Sequence, residues 1–437
     1  MWNYYEGKSI LVTGGSGFLG TAIVHRLLTT TSVSRIYLIC RGGTEKLRAR
    51  WREWLPQGTA DAMCDPSRLI VLDGDILVPN LGLSEPELEA IRNTTNIIIH
   101  AASSINLAAP LKRLHGPVIE ATETVANIAL TCKMLDRFVY VSTAYSNTYL
   151  YPHSEDVDLK IDEEFYTLPS GCDALDELHE VREFGTSTAY EAEDFPWSYA
   201  YAKHLTERLL LHRFRECSEK LMILRPAIIG AAQSLPFPGY NMPMSSPPTM
   251  FTAALLLYPW RYMGAATRMD QPDLDVTSDE VPVDVVADRL LCHLAVGTTG
   301  CVHAVSGARA RRRISTWLQS VMKLRRIPWD VKPKWIKENW KSRKQDRLCR
   351  LYTIMGSSFN FLENKTVAVY ENLSEKERMG LQLFKNIDTE NHCSARDSDI
   401  RYVMDYFARK SWLAWLLVML FYFTFGKTSQ TNRYAKL

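Results

Sequence analysis

Two motifs far apart in the chain restrict what it can fold into. Thr13-Gly14-Gly15-Ser16-Gly17-Phe18-Leu19-Gly20 follows the strand-like run Ser9-Ile10-Leu11-Val12. A glycine loop between a strand and a helix suits a dinucleotide pyrophosphate. Gly14 permits the tight turn, Gly17 lets the backbone approach the phosphates, and Gly20 lets the helix pack close to the sheet. Far downstream stands Tyr199-Ala200-Tyr201-Ala202-Lys203. Tyr199 and Lys203 are i, i+4 on a helix and point the same way, whereas Tyr201 lies about 200° round it. Either motif alone is common by chance, and Tyr406-Phe407-Ala408-Arg409-Lys410 repeats the second one beyond the expected sheet. In this order and spacing, Gly14 and Tyr199 point to an enzyme that reduces carbonyls or oxidises alcohols.

The first 145 residues alternate apolar runs with helical patterns. Strands are expected at Ile10–Thr13, Ile36–Cys40, Leu69–Asp73, Asn96–His100 and Phe138–Ser142, and later at Leu221–Leu224. Such alternation predicts an α/β, Rossmann-type, doubly wound parallel sheet, whose ligands bind at the carboxyl ends of the strands. The glycine loop, Arg41, Asp75 and Ser142-Thr143 all sit just past a strand candidate. Arg41 closes the second strand, where an acidic residue would suit a ribose 2′-hydroxyl and an arginine suits a 2′-phosphate. NADPH is therefore expected rather than NADH. Asp75 is placed for the adenine end. Tyr199 is the expected proton donor. A free tyrosine has a pKa near 10, which the Lys203 ammonium and an oxidised nicotinamide would lower. Thr143 supplies a hydroxyl to orient a carbonyl.

The 437 residues allow one large α/β domain and a smaller region. A net charge of +2 names no partner. The exception is Arg309 to Arg350, at net +12, which suits coenzyme A or an acidic membrane surface as well as a plain solvated face. The nine cysteines form no CxxC or Cys/His cluster, so neither a metal site nor a disulfide framework is expected. No secretory signal fits the N-terminus. The expected organisation is a reductase domain over residues 1–300, with substrate-binding excursions at about 146–197 and 232–280. A mainly helical region over 301–410 follows, then an apolar segment and tail over 411–437. The first excursion reads as irregular and acidic. The Met250–Tyr258 stretch suits either an acyl pocket or ordinary packing. Fourteen uncharged residues at Trp412–Phe425 are short of the ~20 needed to cross a bilayer. An interfacial anchor or a buried helix is expected there.

These residues together resemble the extended short-chain dehydrogenase/reductases. More specifically, they resemble the alcohol-forming fatty acyl-CoA reductases of the male sterility type. The matching segments include Val12 to Gly20, Ile36-Tyr-Leu-Ile-Cys-Arg41, Gly74-Asp-Ile, His100-Ala-Ala102, Val141-Ser-Thr-Ala-Tyr-Ser-Asn147, Leu224-Arg-Pro226 and Val281-Pro-Val-Asp284. The resemblance makes Thr143, Tyr199 and Lys203 the catalytic set. It makes Thr13, Gly14, Ser16, Gly17, Phe18, Leu19, Gly20, Arg41, Asp75, Ile76, Ala101, Tyr199 and Lys203 the contacts of NADPH. It implies reduction of a fatty acyl-CoA to the aldehyde and on to the primary alcohol, with no nucleic acid involved. Ala202 stands where the family often has a serine. Beyond residue 290 the likeness is loose, resting on Phe359-Asn-Phe361 and Leu373 to Arg378.

The nearest rival is a stand-alone thioester reductase fed by an acyl-carrier protein. More distant ones are a sugar-nucleotide epimerase, which would favour an acidic residue at Arg41, and a redox-sensing scaffold, which would need a broken catalytic set. Ala435-Lys436-Leu437 resembles the tripeptide read by the peroxisomal import receptor. Peroxisomal localisation is the expectation, with the endoplasmic reticulum membrane as the alternative.

Overall fold

Short runs rich in branched apolar residues, such as the fully buried Ile97-Ile98-Ile99, are suited to strands covered on both faces. In the computed structural model, which describes residues 1–386 and 397–422, seven strands form one parallel sheet. Its strands are β1 (Ser9–Thr13), β2 (Arg35–Ile39), β3 (Leu69–Leu72), β4 (Ile97–His100), β5 (Arg137–Val141), β6 (Leu221–Pro226) and β7 (Gly300–Ala304). The spatial order is β7-β6-β5-β4-β1-β2-β3. Winding therefore reverses between β1 and β4, which opens a crevice at their carboxyl ends. Helices cover the faces, among them α1 (Phe18–Thr30), α2 (Ser198–Arg213) and α3 (Val283–Ala295).

The six strands expected from the sequence are all present, but the alternation continues further than expected. Helix α3 leads into β7, which pairs with β6 from Gly300↔Met222 to Ala304↔Pro226. The stretch 146–197 is also more regular than expected. It holds a 3-10 helix (Ala144–His153), a strand (Asp158–Ile161) and a helix (Ala174–Phe184). The region after β7 is helical in large part and also supplies strands that reach back. Ser358–Phe361 pairs with Asp158–Ile161, Lys332–Lys337 with Tyr262–Thr267, and Arg312–Arg313 with Thr277–Ser278.

A second core forms where these segments meet. Phe251, Met263, Trp317, Val321, Val403 and Met404 are buried together, so the second excursion and the C-terminal region share one interior. Arg311 ties the same region to the first excursion, donating to Asp158 Oδ2 at 2.6 Å. Helix α4 (Asp397–Lys410) leads to a short helix at Trp412–Leu417 and a π-helical turn at Val418–Tyr422. Leu417, Val418 and Tyr422 face this core, while Trp412, Trp415, Met419 and Leu420 are exposed. No helix among the described residues is long and apolar enough to cross a membrane. Residues 423–425 of the apolar segment, and Ala435-Lys436-Leu437, lie outside the described residues.

Candidate active site

The glycine loop joins β1 to α1 at the crevice. Gly14 has φ +77°, and a Cβ there would lie 2.6 Å from the Ala102 amide nitrogen. A Cβ on Gly20 would lie 2.1 Å from the Gly14 carbonyl oxygen, so only glycine lets α1 approach this closely. Gly17 precedes the first turn of α1, whose leading N–H groups have no intrahelical acceptor. A bare backbone cradle at a helix N-terminus fits a pyrophosphate.

A cleft of about 340 Å³ opens beside this loop. Gly14, Gly17, Phe18, Leu19, Gly20 and Ala101 form one side, and Thr143, Tyr199 and Lys203 another. Two motifs 180 residues apart in the chain thus share one cavity. The remaining expected contacts stand around it. Thr13 is buried beneath the loop, with Oγ1 2.7 Å from His100 Nδ1, and accepts from the Ala102 N–H at 3.3 Å. It ties β1 to β4 rather than lining the cleft. Ser16 lies beside Cys40, off the cleft wall. Arg41, 77% exposed, pairs with Asp75 across 3.6 Å at the ends of β2 and β3. Ile76 lines a separate polar cleft of about 450 Å³.

Helix α2 carries the pair. Lys203 is buried and donates from Nζ to the Val141 carbonyl at 2.8 Å. The same nitrogen stands 4.5 Å above the Tyr140 ring and 5.9 Å from the Tyr199 ring. Burial lowers its pKa to about 7, opposed by Glu207 one turn further along. Glu207 is itself buried and paired with Arg225 at 2.6 Å. Desolvation pushes the Tyr199 phenol well above its ordinary range. The lowering expected from Lys203 is not seen, because burial dominates and keeps the phenol protonated at neutral pH.

Thr143 Oγ1 accepts from the Tyr145 N–H at 3.3 Å and lies 3.5 Å from the Pro226 carbonyl. The neighbouring Ser142 hydroxyl is committed to Glu207, which leaves Thr143 as the hydroxyl for a ligand. Tyr201 turns away as its helical position requires, and donates to Glu177 Oε2 at 2.7 Å. Tyr406 lies on α4, partly exposed, with Lys410 Nζ 5.9 Å from its ring. That pair does not line the cleft.

Sequence reasoning missed Glu207, Arg225, Tyr140 and His100. Glu207 had a signal, since it follows Lys203 at i+4 on the same helical face. Arg225 stood in the matching segment Leu224-Arg-Pro226 without an assigned role, and Tyr140 had no signal, because only the sheet brings β5 and β6 under α2. The start of α2 is held by Trp197, whose indole N–H donates to the Leu351 carbonyl at 2.9 Å. The C-terminal region thereby reaches the helix that carries Tyr199 and Lys203.

The fold and cleft define the class, an extended short-chain dehydrogenase/reductase with a nicotinamide-dinucleotide site. Residues 12–290 match the NAD-binding family described as male sterility protein, and the chain belongs to that family. Human fatty acyl-CoA reductase 1 is 30% identical over 300 residues, covering 66% of this chain and 54% of that protein. Human fatty acyl-CoA reductase 2 is 27% identical over 311 residues, 69% and 56% of the two chains. The chain thus spans about half the length of the curated relatives it matches. Among solved structures, the terminal R domain from the myxalamid PKS-NRPS biosynthetic pathway shares the fold. Its TM-score is 0.57 at 17% identity, over 93% of this chain and 92% of that one.

Proposed function

We propose that the protein is an NADPH-dependent reductase of fatty acyl-CoA thioesters, yielding the aldehyde and then the primary alcohol. The observation that carries this reading is the shared cleft, with the glycine cradle on one side and Thr143, Tyr199 and Lys203 on the other. Its resemblance to fatty acyl-CoA reductases supports the acyl substrate. One NADPH would supply hydride to the thioester carbon, collapse of the hemithioacetal would expel the CoA thiol, and a second NADPH would supply the hydride that reduces the aldehyde. Thr143 and Tyr199 hydrogen-bond the oxygen on which charge develops, and Tyr199 gives its proton when the aldehyde is reduced. Lys203 holds the ribose side of the cleft, and its charge eases departure of the Tyr199 proton. Arg41 stands at the end of β2, where it can leave Asp75 for a 2′-phosphate.

The exposed Trp412, Trp415, Met419 and Leu420, next to the exposed Arg409 and Lys410, suit peripheral contact with an anionic bilayer. Ala435-Lys436-Leu437 supports peroxisomal targeting. An N-terminal fluorescent fusion should mark peroxisomes and leave them when Leu437 is deleted.

The decisive assay supplies purified protein with NADPH or NADH and a series of acyl-CoAs, and identifies the products. Consumption of NADPH with release of free CoA and fatty alcohol is the expected result. Turnover only with carrier-protein thioesters would move the assignment to a carrier-dependent thioester reductase.

A further inference from the structure

A second, smaller cavity of about 80 Å³ lies beside the cleft. Tyr145, Ile228, Pro247, Tyr352 and Ile354 line both, so the two spaces adjoin across a common wall. Phe251 and Trp317 line the small cavity and not the cleft. Phe251 and Trp317 stack with centroids 5.3 Å apart and planes 14° from parallel. Tyr352 packs on Phe251 at 4.3 Å, which links this stack to the shared wall. Phe251 comes from the helix Pro247–Leu256 and Trp317 from the helix Ile314–Leu324. Both side chains are buried in the second core, so neither can swing into solvent to make room.

The polar groups lining the small cavity are Thr277, Ser278, Asp279, Glu280 and Arg312, and the Arg312 Nη1 is buried with no hydrogen-bond partner among the described residues. Asp279 accepts from the Ser306 and Gly307 amides at 2.7 and 3.0 Å. The remaining surface is mainly hydrocarbon and aromatic, and suits a methylene chain.

Given the acyl reductase reading above, on which this inference rests, we propose that this cavity receives the tail of the acyl chain. The Phe251–Trp317 stack is the stop that sets its maximum length. The space is under that of about three water molecules at ~30 Å³ each, so it measures the last few carbons rather than holding a long chain. A chain that ends short of the stack forfeits contact. One that is too long must push into a close-packed core, which yields little.

The test is a ladder of saturated acyl-CoAs stepped by two carbons, with kcat/KM measured at each length in the presence of NADPH. In parallel, non-reducible acyl-CoA thioethers are titrated by calorimetry. Trp317→Leu opens the end and should raise kcat/KM by about 10-fold or more for chains just beyond the wild-type cutoff. Chains below the cutoff should be nearly unaffected. Ile314→Phe, which fills the same cavity, should move the cutoff the other way. Thioether affinities should shift in step with each cutoff. Should Trp317→Leu fail to fold, Phe251→Leu and Ile314→Phe decide the matter. Variants that bind NADPH normally and keep the wild-type length profile would overturn the stop while leaving the reductase reading intact. A wild-type protein that reduces no acyl thioester at any length would overturn both.

Discussion

Tyr199 and Lys203 sit one helical turn apart, yet burial acts on them in opposite senses. It raises the phenol and lowers the ammonium, because in each case the charged form loses water. Tyr199→Phe should cut kcat by roughly 100-fold or more while the protein still binds cofactor, since on the proposed mechanism it removes the proton donor. Tyr406→Phe should leave kcat unchanged, and a matching loss there would reassign the motif. Lys203 gives a pH signature. Its folded pKa, about 7, lies below its unfolded value, so between the two the unfolded chain binds more protons. Stability contributed by this residue therefore rises with pH from about 7 to ~10.4. Denaturation of wild type and Lys203→Met across that window should show wild type gaining on the variant as pH increases. Arg41→Glu belongs at this scale too. Its ion pair with Asp75 is exposed and adds little stability, so the melting temperature should hold. Loss of a 2′-phosphate contact should cost ~1.5–3 kcal/mol in NADPH affinity and spare NADH. Equal loss for both cofactors would rule out that contact.

Elements set the positions of these side chains. The turn between β1 and α1 has no room for a Cβ at Gly20, where the Gly14 carbonyl would lie 2.1 Å away. Gly20→Ala should push α1 off the sheet, destabilise the fold by ~1–3 kcal/mol and weaken dinucleotide binding. Calorimetric titration with NADPH and a denaturation curve would measure the two effects separately. Helix α2 and strand β6 are joined by Glu207 and Arg225, both almost fully buried. Arg225→Met leaves a buried carboxylate without its partner and should cost ~3–5 kcal/mol. Urea denaturation checks this, and a loss below half a kilocalorie would mean water reaches the pair.

Across the whole molecule, the seven-stranded sheet and the second core are built from interleaved stretches of chain. Strand Tyr262–Thr267 finds its partner at Lys332–Lys337, and Asp158–Ile161 finds its partner at Ser358–Phe361. Unfolding should therefore be one cooperative transition by calorimetry; two resolved transitions would separate the cores. A chain cut after Ala304 keeps all seven strands of the sheet but strips the cover from Phe251 and Met263. It should aggregate or bind an apolar dye, where the full chain stays monodisperse.

The sequence alone determined the parts governed by local spacing. Six strands were legible because runs such as Ile97-Ile98-Ile99 suit only a strand buried on both faces. The glycine cradle was legible because a strand followed by Gly14, Gly17 and Gly20 leaves few other backbones. The i, i+4 rule set Tyr199 with Lys203 and turned Tyr201 away. What the tertiary structure decided depends on contacts between residues distant in the chain. Strand β7 escaped notice because Gly300–Ala304 holds one branched apolar residue, Val302, and is stabilised by its neighbour β6 rather than by its own pattern. Thr13 and Ser16 stand in the motif, yet one ties strands together and the other lies off the wall. Ser142 is spent on Glu207, and the Lys203 ammonium rests over Tyr140, because β5, β6 and α2 converge there. The Phe251–Trp317 stack joins residues 66 positions apart. No local period records such a pairing, because it arises only when two helices close on the same core.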